Sequence, residues 1–384
     1  MRQVKLKDIT TKIGSGATPL GGKQSYKTTG VALIRSLNVF DLKFTYDELA
    51  YINDEQAKKL DNVNLESNDI LLNITGASVA RCCILPKNLL PARVNQHVSI
   101  IRINKELANP HFIQYLLVSP YYKQKLLSIA QGGATREALT KEAIENFEVA
   151  IPKSLKTQGK IANVLSNYDD LIENNNKRIK ILEEMAQKIY KEWFVDFKFP
   201  GHETTMIKES VLSSIITPIK GKNITKSKAK FGNVPVVGGG IEPAYYHNVA
   251  NTISPTITIS ASGANAGFVK LYHQNIWASD CSYIDSSMTD YIYYCYLLLK
   301  TNQIEITNMQ LGAAQPHVYP RDLIRLKIKD IDKNIIIKFE QIVKPIFEQI
   351  KNLSNKNENL KQTRDTLLPR LISGEINVEN MEII

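Results

Sequence analysis

Between Thr157 and Phe197, apolar and small residues recur at Ile161, Leu165, Tyr168, Ile172, Asn175, Ile179, Leu182, Ala186, Ile189 and Trp193. The steps alternate four and three, the period of about 3.5 residues that marks a coiled-coil seam rather than the wider stripe of a helix on a globular core. The spacing returns at Phe339, Val343, Ile346, Ile350, Leu353, Asn357, Leu360, Arg364, Leu367 and Leu371. Two matched copies in one chain predict that the chain supplies its own partner helix. Ser166 followed by Asp169 reads as a capping-box start, so a short helix is expected before a longer one from Asn167 to Lys191. Lys344-Pro345 stands at the equivalent point of the second copy, and Pro369 is expected to end or kink that helix before Leu371.

Outside these stretches the pattern shortens. Val31–Arg35, Ile70–Ile74, Val98–Ile103 and Phe147–Ile151 read as strands, and Pro110–Ala130 as a helix with Phe112, Leu116, Leu117, Tyr121 and Leu127 on its apolar face. TGASVARCCILP at Thr75–Pro86 has a counterpart in SGANAGFVKLY at Ser262–Tyr272, and Gly132–Pro152 in Leu311–Ile331. The chain therefore repeats globular domain and helix with a period of about 180 residues. The expected fold is α+β: two pseudo-repeated domains, 1–152 and 201–331, separated by an antiparallel two-helix coiled coil built from 153–200 and 332–384, with an approximate twofold axis.

Parallel pairing in the repeat register would set Asn175 against Leu353 and Ile179 against Asn357. Antiparallel pairing allows Asn175 opposite Asn357, or Asn175 opposite Arg364 with Leu182 opposite Asn357. The first antiparallel register is favoured, because a buried amide layer specifies alignment at some cost in stability; a wet stretch of seam is the alternative. The expected long helix, about 37 Å, is close to the one-turn spacing of about 34–36 Å between equivalent faces of a DNA duplex.

Composition then narrows the partner. The chain has 384 residues, a net charge of +10 and a pI near 9.1, which fits a polyanion. Cys82, Cys83, Cys281 and Cys295 lack zinc-ligand spacing and read as reduced core thiols. No apolar run approaches a membrane span and the first residues lack a signal-peptide core, so a cytoplasmic protein with no membrane partner is expected. Enzyme motifs are missing: no P-loop, no metal-binding His/Cys cluster and no nucleophile elbow, and the triple glycine at 238–240 has no Lys-Ser/Thr after it. The only Asn-Pro, Asn109-Pro110, precedes His111 rather than the Pro-aromatic pair of an adenine methyltransferase.

Polar loop tips at matching places are the candidate readers of DNA, since Arg, Asn and Gln can make paired contacts to base edges. In the first domain they are Arg35, Asn38, Asn73, Thr75, Ser78, Arg81, Asn95, Gln96, His97, Thr135 and Arg136. In the second they are Tyr245, Tyr246, Ser262, Asn265, Ser279, Asp280, Gln315 and His317. Lys220, Lys222, Lys226, Lys228 and Lys230 form a basic run suited to phosphates. The two sets differ in chemistry, so the domains are expected to read different sequences.

KIANVLSNYDDLIENNNKRIKILEEMAQKIYKEWFVDF in the middle, LKQTRDTLLPRLISGEI near the end, and the loop phrases IGSGATP, TGASVARC and GGATREALTKEAI resemble the specificity subunit of type I restriction–modification enzymes over essentially the whole chain. The resemblance implies two target-recognition domains reading a split DNA sequence, and a coiled coil that sets the gap and docks two modification subunits. Those partners would methylate adenine N6 with S-adenosylmethionine, and motor–nuclease subunits would add cleavage driven by ATP and Mg. The chain itself would be non-catalytic and hold no cofactor or metal. Gly312-Ala313-Ala314-Gln315 departs from the Gly-Gly-Ala-Thr-Arg phrase of the first domain, which bears on a shared contact at that loop. The rival expectation is a tandem DNA-binding regulator that works alone.

Overall fold

The run Ile70-Leu71-Leu72-Asn73 is buried at every position, which a strand achieves only when both faces of its sheet are covered. Ile70 and Leu72 face one core, with the helix Pro110–Val118 and the start of the first long helix, while Leu71 faces a second. Val98–Ile103 divides the same way, Ile101 and Ile103 to the first core and Val98 and Ile100 to the second. In the computed structural model, which describes residues 1–132, 137–204, 207–310 and 316–379, the chain forms two compact units. One comprises Met1–Glu173 with Asn357–Ile384, the other Asn174–Lys356.

The first unit holds an antiparallel sheet ordered Thr10–Ser15, Val98–Ile103, Ile70–Asn73, Cys82–Ile84. Its second core is closed by Ala50–Ile52, Val31–Ile34 and Ala92–Val94, the last two parallel, and Arg2–Lys5 pairs with Glu148–Ile151. The other unit has the same pairings. Ile219–Lys220, Cys281–Asp285, Thr256–Ser260 and Val269–Tyr272 form its antiparallel sheet. Tyr245–His247, Val234–Val237 and Trp277–Ala278 form its three-stranded sheet, again with one parallel pair, and Lys208–Val211 pairs with Lys327–Asp330. The four cysteines are free and buried. No helix among the described residues is long and apolar enough to cross a membrane.

Several expected boundaries change. The segment Pro110–Ala130 is two helices, Pro110–Val118 and Pro120–Gln131, because Pro120 holds Ser119 extended at φ −61°, ψ 146°. That break rotates the second helix, so Tyr121 is 69% exposed and Tyr122 takes the buried place. The first long helix is unbroken from Leu155 to Phe194. Its start is capped by Ser154, whose hydroxyl accepts the Thr157 N–H at 3.3 Å, and not by Ser166. Asp169, expected in a cap, instead accepts the Tyr115 hydroxyl at 2.5 Å and pairs with Arg364. The second long helix runs from Lys333 to Ser373, through both Pro345 and Pro369. Both prolines face solvent, where water can satisfy the carbonyls they displace, while Val343, Ile346, Phe347, Leu368 and Leu371 on the buried side hold the helix together. Gly374, at φ 81°, then ends it with the Ile376 N–H donating to the Arg370 carbonyl at 3.1 Å. At 1.5 Å per residue the first helix is about 60 Å long, so the expected match to one DNA turn does not hold.

Among the seam positions, Ile172, Asn175, Ala186, Ile346, Ile350, Leu353 and Asn357 are buried, and Tyr168, Ile179, Leu182, Ile189, Leu360 and Leu367 are half-buried. In the first unit, Ile161 and Leu165 share a core with Leu368 and Leu371. In the second, Trp193 and Phe194 lie 5.7 and 4.9 Å from Phe339, ring centre to ring centre.

A buried carboxylate, Glu340, and a half-buried one, Asp169, tie helices to their units. Glu340 accepts the N–H groups of Tyr293 and Tyr294, at 3.1 and 2.9 Å, at the start of the helix Ile292–Thr301. Burial pushes its carboxyl up to about 7 against the pull of those N–H groups and Lys344. The folded chain therefore binds more protons than the unfolded one between the ordinary carboxylate range and pH 7, and stability falls as pH rises through that window. Urea midpoints measured from pH 4.5 to 8 are expected to drop by on the order of 2 kcal/mol in stability, and Glu340→Gln to flatten the slope. Arg364→Ala leaves the half-buried Asp169 without its cation and is expected to cost about 1–3 kcal/mol in the same urea titrations, most of it recovered when Asp169→Asn is added.

Candidate nucleic-acid interface

At one end of the sheets in the first unit, four loops are tied together by backbone. The Asn95 N–H donates to the Ile34 carbonyl at 3.0 Å, the Ile74 N–H to His97 at 3.0 Å, the Leu139 N–H to Ile74 at 2.9 Å and the Gly76 N–H to Glu137 at 3.0 Å. Thr75 and Ala138 form an isolated bridge. The other unit repeats the arrangement. The Ser279 N–H donates to Val237 at 2.8 Å, Ala261 to Asp280 at 3.2 Å, Val318 to Ala261 at 3.0 Å and Gly263 to Pro316 at 3.1 Å, with a bridge between Ser262 and His317. Loops far apart in sequence thus converge because three of them lie at strand ends of the two sheets and the fourth is tied to them by backbone hydrogen bonds.

Gly16 and Gly221 show how tightly the clusters are built. A Cβ on Gly16 would meet the Val94 carbonyl oxygen at 1.6 Å, and one on Gly221 the Ser279 oxygen at 2.3 Å. Only glycine lets these turns pass so close to the neighbouring strand.

Some candidates are scaffold. Asn38 is fully buried, giving its amide to the Thr45 and Asp47 carbonyls at 3.1 and 3.0 Å and accepting the Arg35 N–H at 3.1 Å. Asn73 donates to the Ser36 carbonyl at 2.9 Å, Asn95 accepts the His97 N–H at 3.0 Å, and Ser279 accepts the Ile224 N–H at 3.3 Å. All three are buried. Their side chains take part in holding the loops together, while Asn73 Oδ1, also buried, has no hydrogen-bond partner among the described residues.

The rest of the first set stays near the surface. Arg35, Thr75, Ser78, Arg81 and His97 are half-buried and Gln96 is exposed. The guanidinium of Arg81 lies 4.8 Å from the Phe40 ring centre and that of Arg35 5.4 Å from Tyr26; Gln96 accepts the Thr18 hydroxyl. Sequence reasoning passed over Thr18, whose part depends on a contact distant in the chain.

One pair occupies equivalent places in both clusters with different chemistry. Thr75 Oγ1 lies 2.7 Å from His97 Nδ1, while the Ser262 hydroxyl donates to the Asp280 carboxylate. An imidazole offers a donor or an acceptor, depending on its tautomer; a carboxylate only accepts. Around the second pair, His317 stacks on Tyr319 at 5.6 Å, with the Arg321 guanidinium 4.9 Å from the same tyrosine. Asn265 is half-buried, its carbonyl accepting the Phe268 N–H at 2.9 Å. Tyr245 donates its hydroxyl to the Ile224 carbonyl, and Tyr246 is 56% exposed. Lys220, Lys222, Lys226, Lys228 and Lys230 are all exposed. Lys222 adjoins the cluster through its N–H to Ala278 at 2.9 Å, and the later lysines lie along the strand Tyr245–His247, where the Lys230 N–H donates to His247 at 3.0 Å. Thr135, Arg136 and Gln315 lie outside the described residues. Among the described residues no group of three His, Cys, Asp or Glu side chains could hold a metal ion.

Residues 1–184 match the family described as the type I restriction modification DNA specificity domain. The chain is 28% identical to the type I restriction enzyme MjaIX specificity subunit of Methanocaldococcus jannaschii, across 98% of this chain and 94% of that one. It is 24% identical to the type I restriction enzyme HindI specificity subunit of Haemophilus influenzae, across 90% and 94%. The crystal structure of the type I restriction–modification S subunit from M. genitalium has a similar fold, with a TM-score of 0.60 and 18% identity over 96% of this chain and 95% of that one. With two loop clusters of one architecture, the chain is similar over nearly its whole length to type I restriction–modification specificity subunits, and its first 184 residues match their DNA specificity domain.

Proposed function

We propose that the two loop clusters each read one half of a split, asymmetric duplex DNA target, and that the long helices hold the halves at a set distance. The observation that carries this reading is the pair of matched clusters, bridged by the same backbone contacts but armed with Thr75–His97 in one and Ser262–Asp280 in the other. The same scaffold with different donors and acceptors is what two half-sites of different sequence require. In this reading 1–152 and 201–331 are the recognition domains, and 153–200 with 332–384 form an antiparallel coiled coil relating them by an approximate twofold. Contacts inside the first unit support the antiparallel sense: Lys160 donates to the Glu379 carbonyl at 2.7 Å, while Asp169, further along the same helix, meets Arg364. The offsets of Asp169 with Arg364 and of Trp193 with Phe339 agree, within one residue, with the register that aligns Asn175 with Asn357.

Base contacts are assigned to Arg35, Thr75, Ser78, Arg81, Gln96 and His97 in the first domain, and to Tyr246, Ser262, Asn265, Asp280 and His317 in the second. The exposed lysines take phosphates. Two modification subunits dock on the helices and methylate adenine N6 with S-adenosylmethionine after flipping the base from the duplex. Motor–nuclease subunits add cleavage with ATP and Mg, in the cytoplasm where the DNA lies.

Mapping N6-methyladenine in a host carrying the complex identifies the target. Exchanging 201–331 for the same region of a relative is expected to change one half of the mapped sequence and leave the other intact; a change in both halves would rule out independent reading. Replacing Lys226, Lys228 and Lys230 together with alanine is expected to lower the slope of log affinity against log salt by about 2–3, with the methylated sequence unchanged. Binding isotherms of the assembled complex at several salt concentrations measure it.

A further inference from the structure

Phe231 is 100% exposed, an unusual state for a large aromatic ring. The backbone beside it is held. The N–H of Lys230 donates to His247 Nδ1 at 3.0 Å, and Gly232 sits so close to the next strand that a Cβ there would meet the Asn248 Cα at 2.4 Å and the His247 carbonyl oxygen at 2.5 Å. Before it, Lys226–Lys228 forms a single turn, closed by the Lys228 N–H on the Thr225 carbonyl at 2.9 Å. The ring thus stands on a pinned stem.

Its own segment of chain carries charge of one sign. From Val211 to Ile241 the chain has no Asp or Glu, while Lys220, Lys222, Lys226, Lys228 and Lys230 fall within that stretch and are exposed. An apolar ring bordered by cations, with no anion in its own segment, suits a ligand that is a polyanion outside and a stack of flat apolar faces inside. Duplex DNA is that ligand, and an apolar side chain entering a base step is a known way to bend a duplex onto more protein surface.

We propose that Phe231 is a wedge: it enters a base step beside the half-site read by the second domain, with Lys226, Lys228 and Lys230 on the flanking phosphates. This rests on the recognition reading above and adds a deformation of DNA to it. Specificity then gains a component set by how readily that step unstacks, at a position where no hydrogen bond is made.

The test uses the full chain assembled with its modification subunits on a duplex carrying the mapped target, with 2-aminopurine placed at successive positions in and beside the second half-site. The wild-type complex is expected to raise fluorescence several-fold at one step distinct from the flipped adenine. Phe231→Ala is expected to abolish that rise while the signal at the flipped adenine stays, and to weaken binding by about tenfold; Phe231→Trp is expected to keep both. Because the ring is fully exposed, neither substitution threatens the fold. The proposal is overturned if the wild-type complex unstacks no step besides the flipped base, or if Phe231→Ala leaves the profile unchanged. It is likewise overturned if Phe231→Ala weakens assembly with the modification subunits in the absence of DNA, which makes the ring a protein contact. Failure of the wild-type complex to bind the target in a salt-dependent way would instead remove the recognition reading itself.

Discussion

The constraint on which the rest depends is that the central strands of each four-stranded sheet are covered on both faces. Positions such as Ile70, Leu71 and Leu72 have no solvent side on which to vary. Polar chemistry can be placed only where strands end, and there it must be organised by backbone, since a loop without a sheet behind it has nothing to hold its tips together. The bridges Thr75–Ala138 and Ser262–His317 mark those ends. Burial fixes the scaffold and so confines the variable chemistry to a small area.

Within that area, the polar side chains divide by burial. Asn38 has the right chemistry for adenine, yet its amide is spent on neighbouring loops, because an unpaired amide in the interior costs about 1–3 kcal/mol. Thr75 with His97, and Ser262 with Asp280, sit one step further out, where a hydrogen bond inside the protein can be exchanged for one to a ligand.

Much of this was legible in the chain. The strand Val98–Ile103 has the bounds its pattern predicts, and the seam positions are buried or half-buried with exposed residues between them. The matched loops also follow from the repeated phrases. Local signals failed where a distant group outweighed them. Ser166 and Asp169 spell a helix cap, but Tyr115 and Arg364 claim the carboxylate. Pro345 spells a helix start and Pro369 an end or kink, but both stand on the wet face of a helix held from its other side. Short strands such as Ala92–Val94 and Trp277–Ala278 carry too few residues to show a period and exist only through their parallel partners. The pinned stem of Phe231 depends on His247 and Asn248, which no spacing rule connects to it.

The first unit is assembled from two stretches of chain, and the second from one. Ile161 and Leu165 share their core with Leu368, Leu371 and Val378, and Lys160 is held by the Val378 and Glu379 carbonyls. During synthesis the second unit has all its parts once residue 356 has emerged, whereas the first must wait, with part of its core open, for the last turns of the second long helix. Closing so large a loop carries an entropic cost, which a folded intervening unit reduces by bringing the two stretches nearer. The half of the protein made first is therefore finished last, and a truncation near the C-terminus would damage the N-terminal unit before the one beside it in sequence.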